Sequence, residues 1–137
     1  MTPQQIALVQ SSFAQVVPIA PQAAEIFYAR LFELAPQVRP LFQGDLQEQG
    51  RKLMTMLATV VNGLTRLDVI VPAAQQLARR HVAYGARAEH YPVVGQALID
   101  TLERGLGPAF TPEVREAWAT AYGVLSGVMV EAQREAA

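Results

Sequence analysis

His81 stands on the apolar stripe of a predicted helix. Over positions 70–84, Ile70, Ala73, Ala74, Leu77, His81 and Tyr84 recur at spacings of three and four, while Gln75, Gln76, Arg79 and Arg80 fall on the other side. Helical period therefore aims an imidazole inward, and a neutral imidazole is the commonest metal ligand among side chains. The segment 46–64 repeats the pattern with an amide. Its stripe is Leu46, Leu53, Met56, Leu57 and Val60, and Gln49 lies in it. Each residue alone has a plainer explanation: an inward histidine is commonly satisfied by a backbone carbonyl, and Gln49 sits at a stripe edge. Two inward polar side chains among so much apolar surface together suggest a greasy pocket around a metal centre.

The elements that must position them are helices. Nearly every segment reads at helical period and none alternates as a strand would. Thr2-Pro3-Gln4-Gln5 is a capping box with proline at the first helical position, predicting a helix to about Val17 that Pro18 stops. Pro21 opens the next, with Ala24, Phe27, Tyr28, Leu31 and Leu34 inward and an end near Ala35. Pro36 and Pro40 bracket a short helical piece, and Asp45 caps the helix that carries Gln49. A loop is expected at Arg66 to Asp68, before the His81 helix, which Gly85 ends. Tyr91-Pro92 opens a helix with Val93, Val94, Ala97, Leu98 and Leu102 inward, stopped by Gly105, Gly107 and Pro108. Thr111-Pro112-Glu113 starts the last one, whose buried face is Val114, Trp118, Ala121, Tyr122, Leu125 and Met129. Gly123 and Gly127 form a small-xxx-small pair in a helix too polar for a membrane, and they predict close approach of two helices in the core. The expectation is an all-α fold of six main helices plus a short one, in one domain over 1–137.

Composition narrows the function. A chain of 137 residues with 51% hydrophobic and 17% charged residues can build a substantial core. Net charge is -1 and no basic block occurs, so nucleic acid is not an expected partner. The absence of cysteine excludes disulfides, thiolate nucleophiles and iron–sulfur clusters, and fits a reducing cytoplasm. MTPQQIALVQ does not read as a signal peptide, and no apolar run approaches the ~18 residues of a membrane span, so no membrane is expected.

With these residues in hand, the chain resembles the bacterial single-domain globins, of the Vitreoscilla type and the neuroglobin-like bacterial haemoglobins. The matching stretches are FYARLFELAPQVRPLF at 27–42, the helix around Gln49 and Leu53, RRHVAYG at 79–85, HYPVVGQALI at 90–99 and AWATAYGV at 117–124. Their order and spacing make the match specific, and it covers nearly the whole chain. The resemblance implies a globin fold holding haem b (iron protoporphyrin IX). It implies that His81 is the proximal ligand of the iron, Phe42 the aromatic stacked on the haem, and Tyr28 and Gln49 the distal polar pair. Leu53 would be the distal apolar wall, and Leu77 would pack on the proximal face. Lys52, with Arg80 beside the proximal histidine, would reach the haem propionates. Tyr91 resembles the proximal tyrosine of flavohaemoglobin-type globins, and Trp118 resembles a packing tryptophan away from the haem.

Two departures matter. Gln49 stands where myoglobin-type globins carry a distal histidine, and His90 falls beyond the proximal helix, so ligation by two histidines is not implied. Gln133, with Glu131 nearby, stands where flavohaemoglobins carry a glutamate that acts on the proximal histidine. An amide lacks that charge, which weakens the case for strong electron push.

The implied function is high-affinity oxygen binding for storage, delivery or scavenging. Tyr28 and Gln49 would each donate a hydrogen bond to a gas that gains negative charge, worth roughly 1.5–3 kcal/mol. That is about a 10- to 100-fold gain, expected as slower release. Oxygen, carbon monoxide and nitric oxide are the small ligands. The alternative is a nitric oxide dioxygenase served by an external reductase, since no reductase is read in this chain. A haem-free helical interaction domain is disfavoured, because Gln49 and His81 would then bury polarity without gain.

Overall fold

The computed structural model describes residues 1–42, 44–83 and 89–136, without the side chains of residues 67, 69, 82, 83, 135 and 136. Six α-helices follow in order: α1 (Pro3–Val16), α2 (Ala20–Leu34), α3 (Leu46–Asn62), α4 (Leu67–Ala83), α5 (His90–Leu106) and α6 (Pro112–Ala136). Single 3-10 segments at Val17–Ile19, Pro36–Leu41 and Gly107–Ala109 join α1 to α2, follow α2, and join α5 to α6. No strand occurs among the described residues.

The termini of these helices follow from local chemistry. The Gln5 amide donates to Thr2 Oγ1 at 3.1 Å while Gln5 Oε1 accepts from the Thr2 amide at 3.0 Å, so the capping box closes in both directions. Asp45 accepts from the Gln47 amide and starts α3, and Thr111 accepts from the Val114 amide and starts α6. Gly107 ends α5 at φ +56°, a conformation that a Cβ would resist.

The start of α4 departs from the sequence reading. Arg66 lies in the connection after α3, as expected, but Leu67 and Asp68 are already helical, and the Ile70 amide bonds the Arg66 carbonyl at 3.2 Å. Pro72 lies inside the helix. It gives up one amide early in the helix, where the loss falls near the end of the hydrogen-bond ladder. Leu34 also departs, being exposed at the last position of α2. Tyr84 and Gly85 lie outside the described residues.

Two apolar clusters make the core. The larger one draws on α1, α2, α3, α5 and α6, with Val9 and Leu31 fully enclosed and Trp118 at its base. Trp118 donates its indole N–H to Ser12 Oγ at 2.8 Å, so its polar atom is satisfied in the core. The smaller cluster is Ala74, Ala78, Tyr91, Met129 and Ala132, with Leu77 packed against it. α2 packs on α5 and α3, whereas α4 packs chiefly on α6. Phe42 and Leu53, half-buried, edge the first cluster, and Leu77, half-buried, edges the second.

Glycines mark the close helix contacts, though not at the predicted pair. Gly123 and Gly127 are exposed, and a Cβ on either would meet nothing within 4 Å. They line an open groove between α5 and α6, and the small-xxx-small spacing buries nothing there. The close approaches are at Gly50, against Ala24 of α2, at Gly95, against the Tyr122 ring of α6, and at Gly63, just past α3, against the Ile70 side chain of α4. Among the described residues, no helix is long and apolar enough to cross a membrane.

Candidate functional site

Tyr28 is held by aromatic rings. Phe27 meets it edge-on at 5.3 Å between centroids, Phe42 edge-on at 5.5 Å, and Phe32 lies stacked at 6.1 Å. Phe32 and Phe42 also meet each other edge-on, and Arg39 lies over the Phe32 ring. These are the preferred aromatic geometries, and they fix the ring of Tyr28 without using its hydroxyl. That hydroxyl has no hydrogen-bond partner among the described residues, and no buried side-chain polar atom there is sealed off unpartnered. The hydroxyl therefore opens onto space while the ring is 94% covered. Burial pushes its pKa up to about 12, so it keeps its proton and remains a donor.

The sequence-predicted residues on α3 divide by exposure. Leu53 packs against the larger cluster, Gln49 is half-buried, and Lys52 is exposed. Gly50, next to Gln49, is buried, and it is the position where α3 lies closest to α2.

On α4 the covered face is Ile70, Ala74 and Ala78, so Ile70 and Ala74 of the predicted stripe are buried while Ala73 is exposed. Ala78 is fully covered because α4 turns that face to α6. Leu77 and His81 occupy the flank of the buried face and are half-buried. Arg80 is exposed. His81 Nδ1 lies 2.8 Å from the Leu77 carbonyl oxygen. A carbonyl can only accept, so Nδ1 carries the proton and the basic lone pair sits on Nε2. Such a bond satisfies a core histidine, and it equally orients one that uses Nε2 as a ligand.

Tyr91, in the first turn of α5, is buried and fully engaged. Gln133 Nε2 donates to its hydroxyl at 2.9 Å, and the Tyr122 hydroxyl donates to its carbonyl at 2.6 Å. Burial raises the Tyr91 pKa, and the Gln133 bond partly offsets that. Burial, with the neighbouring Tyr91, raises that of Tyr122 as well.

The structure thus brings Tyr28 and Phe42 into contact, sets Leu53 against the same cluster, and sets Leu77 with Tyr91 in the other. Lys52 and Arg80 make no such contact and stand at the surface. Sequence reasoning missed Phe32 and Gly50. Phe32 lies one helical turn after Tyr28, a spacing that could have revealed it. Gly50 has no side chain for a periodicity to register.

The globin family model matches residues 25–129. A flavohemoprotein of Bordetella parapertussis is 31% identical over 98% of this chain, and the match covers 34% of that protein. A flavohemoprotein of Rhodopirellula baltica is 32% identical over 85% of this chain and 30% of its own length. The chain thus spans about a third of the length of these relatives. A bacterial globin of Campylobacter jejuni superposes with a TM-score of 0.87 at 23% identity, covering 98% of both chains. An engineered carbene transferase of Rhodothermus marinus, described as a candidate nitric oxide dioxygenase, superposes with a TM-score of 0.89 at 25% identity, covering 99% of this chain and 95% of that one.

Proposed function

The chain belongs to the globin family, and from that premise we propose that it is a haem protein that binds oxygen tightly through a tyrosine–glutamine pocket, for storage, delivery or scavenging. The observation that carries this reading is the Tyr28 hydroxyl, protonated and opening onto space from a fixed aromatic cage.

The side chains fit the group. Haem b supplies an iron with one position open to a diatomic gas when it is bound. His81 offers Nε2 as its protein ligand, with the ring held by the bond to the Leu77 carbonyl. Phe42 and Leu53 offer flat and branched apolar surface on one side, and Leu77 on the other. Lys52 and Arg80, both exposed, supply cations for the carboxylates of the group at the protein's rim. Tyr91 lies in the buried cluster against which Leu77 packs, its hydroxyl bonded by Gln133.

Tyr28 and Gln49 then act as donors toward the gas. Oxygen, unlike carbon monoxide, draws negative charge when it binds, so a donor favours it selectively. The apolar wall of Leu53 and its neighbours would exclude water and slow oxidation of the iron. A soluble setting in the cytoplasm fits this work.

The deciding measurement is an absorption spectrum of the purified protein, oxidised, reduced with dithionite, and reduced under carbon monoxide. Expected are the bands of a haem with one histidine ligand and a shift with carbon monoxide. A protein without haem bands after expression with added haem precursor overturns the proposal. In His81→Ala the haem should be largely lost on purification, or regained only with imidazole. A normal five-coordinate ferrous spectrum in that variant would remove His81 from its role.

The similarity to flavohemoproteins and to the Rhodothermus marinus protein favours a second reading, nitric oxide dioxygenase. In NO + O2 + e⁻ → NO3⁻, each turnover consumes one electron. A flavin- and nicotinamide-dependent reductase would deliver it. Sustained nitrate formation with NADH and such a reductase tests this reading. A single turnover does not, because most oxygen-binding globins would give one.

A further inference from the structure

Gly50 is buried at the crossing of α2 and α3. A Cβ built on it would stand 2.8 Å from the Cβ of Ala24 and 3.8 Å from Tyr28 Cε2. Carbon atoms in good contact stand about 3.5–4.0 Å apart. The Ala24 methyl has no rotamer to escape into, so a side chain at 50 would have to part the two helices by about 1 Å. The consequence is local to the proposed pocket. Gln49 precedes Gly50 on α3, Leu53 follows within one turn, and Tyr28 follows Ala24 by one turn on α2. The other glycines differ: Gly123 and Gly127 face open space, Gly95 meets Tyr122, and Gly63 meets the flexible end of Ile70 at the turn between α3 and α4.

We propose that the Gly50–Ala24 contact sets the height of the ligand pocket. The missing side chain at 50 brings the helix bearing Gln49 and Leu53 down onto the helix bearing Tyr28. Both donors can then act on one diatomic gas. Gly50 is thus a positioning residue that determines selectivity between gases without touching them. A hydrogen bond stretched by about 1 Å from its usual ~2.9 Å is lost, whereas apolar contact weakens gradually. Parting the helices therefore affects oxygen more than carbon monoxide. This inference rests on the oxygen-binding reading above.

The test compares four haem-loaded proteins: wild type, Tyr28→Phe, Gly50→Ala, and the exchange variant Ala24→Gly/Gly50→Ala. The exchange moves the glycine across the interface and keeps one of each residue, so helix propensity nearly cancels. Oxygen and carbon monoxide release are each measured by ligand replacement. Gly50→Ala should speed oxygen release about 10-fold, the loss of one charge-assisted bond, and carbon monoxide release by less than about 2-fold. The exchange variant should return oxygen release to within about 3-fold of wild type.

A second readout needs no haem. Urea unfolding of the apoprotein forms of wild type, Ala24→Gly, Gly50→Ala and the exchange variant should be non-additive, with the exchange variant more stable than Gly50→Ala. If Gly50→Ala fails to hold haem, recovery of haem and of the slow oxygen release in the exchange variant carries the proposal, and no recovery overturns it. Unchanged oxygen release in folded Gly50→Ala, or equal acceleration of both gases, also overturns it. Fast release in Tyr28→Phe alongside either result sinks this proposal alone. Unchanged release in Tyr28→Phe instead sinks the pocket reading on which it rests.

Discussion

Two buried tyrosines are kept in opposite conditions. Tyr28 is fixed through its ring, by Phe27, Phe32 and Phe42, and its hydroxyl is left to open space. Tyr91 is fixed through its polar atoms, with Gln133 on the hydroxyl and Tyr122 on the carbonyl. Both are more than nine-tenths covered, so burial alone does not distinguish them. The difference lies in what each has left over. A tyrosine held by aromatic packing keeps its hydroxyl for a ligand, while Tyr91 engages its hydroxyl and carbonyl as acceptors that join α5 to α6.

The largest expected effect breaks this contrast at the ligand. Tyr28→Phe should speed oxygen release by about 10- to 100-fold, matching a hydrogen bond of roughly 1.5–3 kcal/mol. Carbon monoxide release should change much less. Tyr91→Phe, which leaves Gln133 without its acceptor, should alter oxygen release by less than about 3-fold and lower stability by about 1–2 kcal/mol in urea unfolding. Equal acceleration of oxygen release by the two variants would mean that the two hydroxyls do not differ as their partners indicate.

The next effect tests the strut itself. A Cβ at Gly95 would stand 2.6 Å from Tyr122 Cε2, so Gly95→Ala must displace the ring whose hydroxyl bonds the Tyr91 carbonyl. We expect a loss of about 1–3 kcal/mol, typical of an overpacked contact. Gly127→Ala, on the same groove but with nothing within 4 Å, should be neutral or gain up to about 1 kcal/mol from helix propensity. Equal losses in both would contradict the close contact at Gly95. Unfolding midpoints of the two variants, measured in one urea series, decide between these outcomes.

These contrasts also mark what could be read in the sequence. Caps are local, and Thr2, Asp45 and Thr111 act as their types and spacing require. Helical period identified the inward faces of α2, α5 and α6 because each packs on more than one helix and so buries a broad apolar stripe. It was only partly right on α4, which packs chiefly on α6: Ile70 and Ala74 are buried as read, but Ala78 completes the covered face while Leu77 and His81 turn to its flank. Gly123 and Gly127 were misread because their spacing says nothing about whether a second helix lies opposite. Tyr28 and Phe42 were legible as types, and the family resemblance supplied their roles. The cage formed with Phe32, and the contact of Gly50 with Ala24, depend on a crossing between helices that no single stretch encodes.

The smallest expected effect concerns pH, and it sharpens the contrast through the proton that Tyr28 must keep. Its pKa is raised from 10.0 to about 12 by burial. A raised folded-state value means that the folded protein holds this proton where the unfolded chain has released it. The resulting stability is fully present below the unfolded pKa of 10.0 and is lost as pH rises toward about 12. Oxygen release should therefore show no Tyr28-linked step between about pH 6 and pH 9, where both states remain protonated. Phenolate absorbance should rise late in an alkaline titration, and Tyr28→Phe should remove one tyrosine from that late phase. A step in oxygen release below about pH 9 that vanishes in Tyr28→Phe would mean that the hydroxyl loses its proton early. It would then be no donor above that step, and the selectivity for oxygen there would have to come from Gln49 alone.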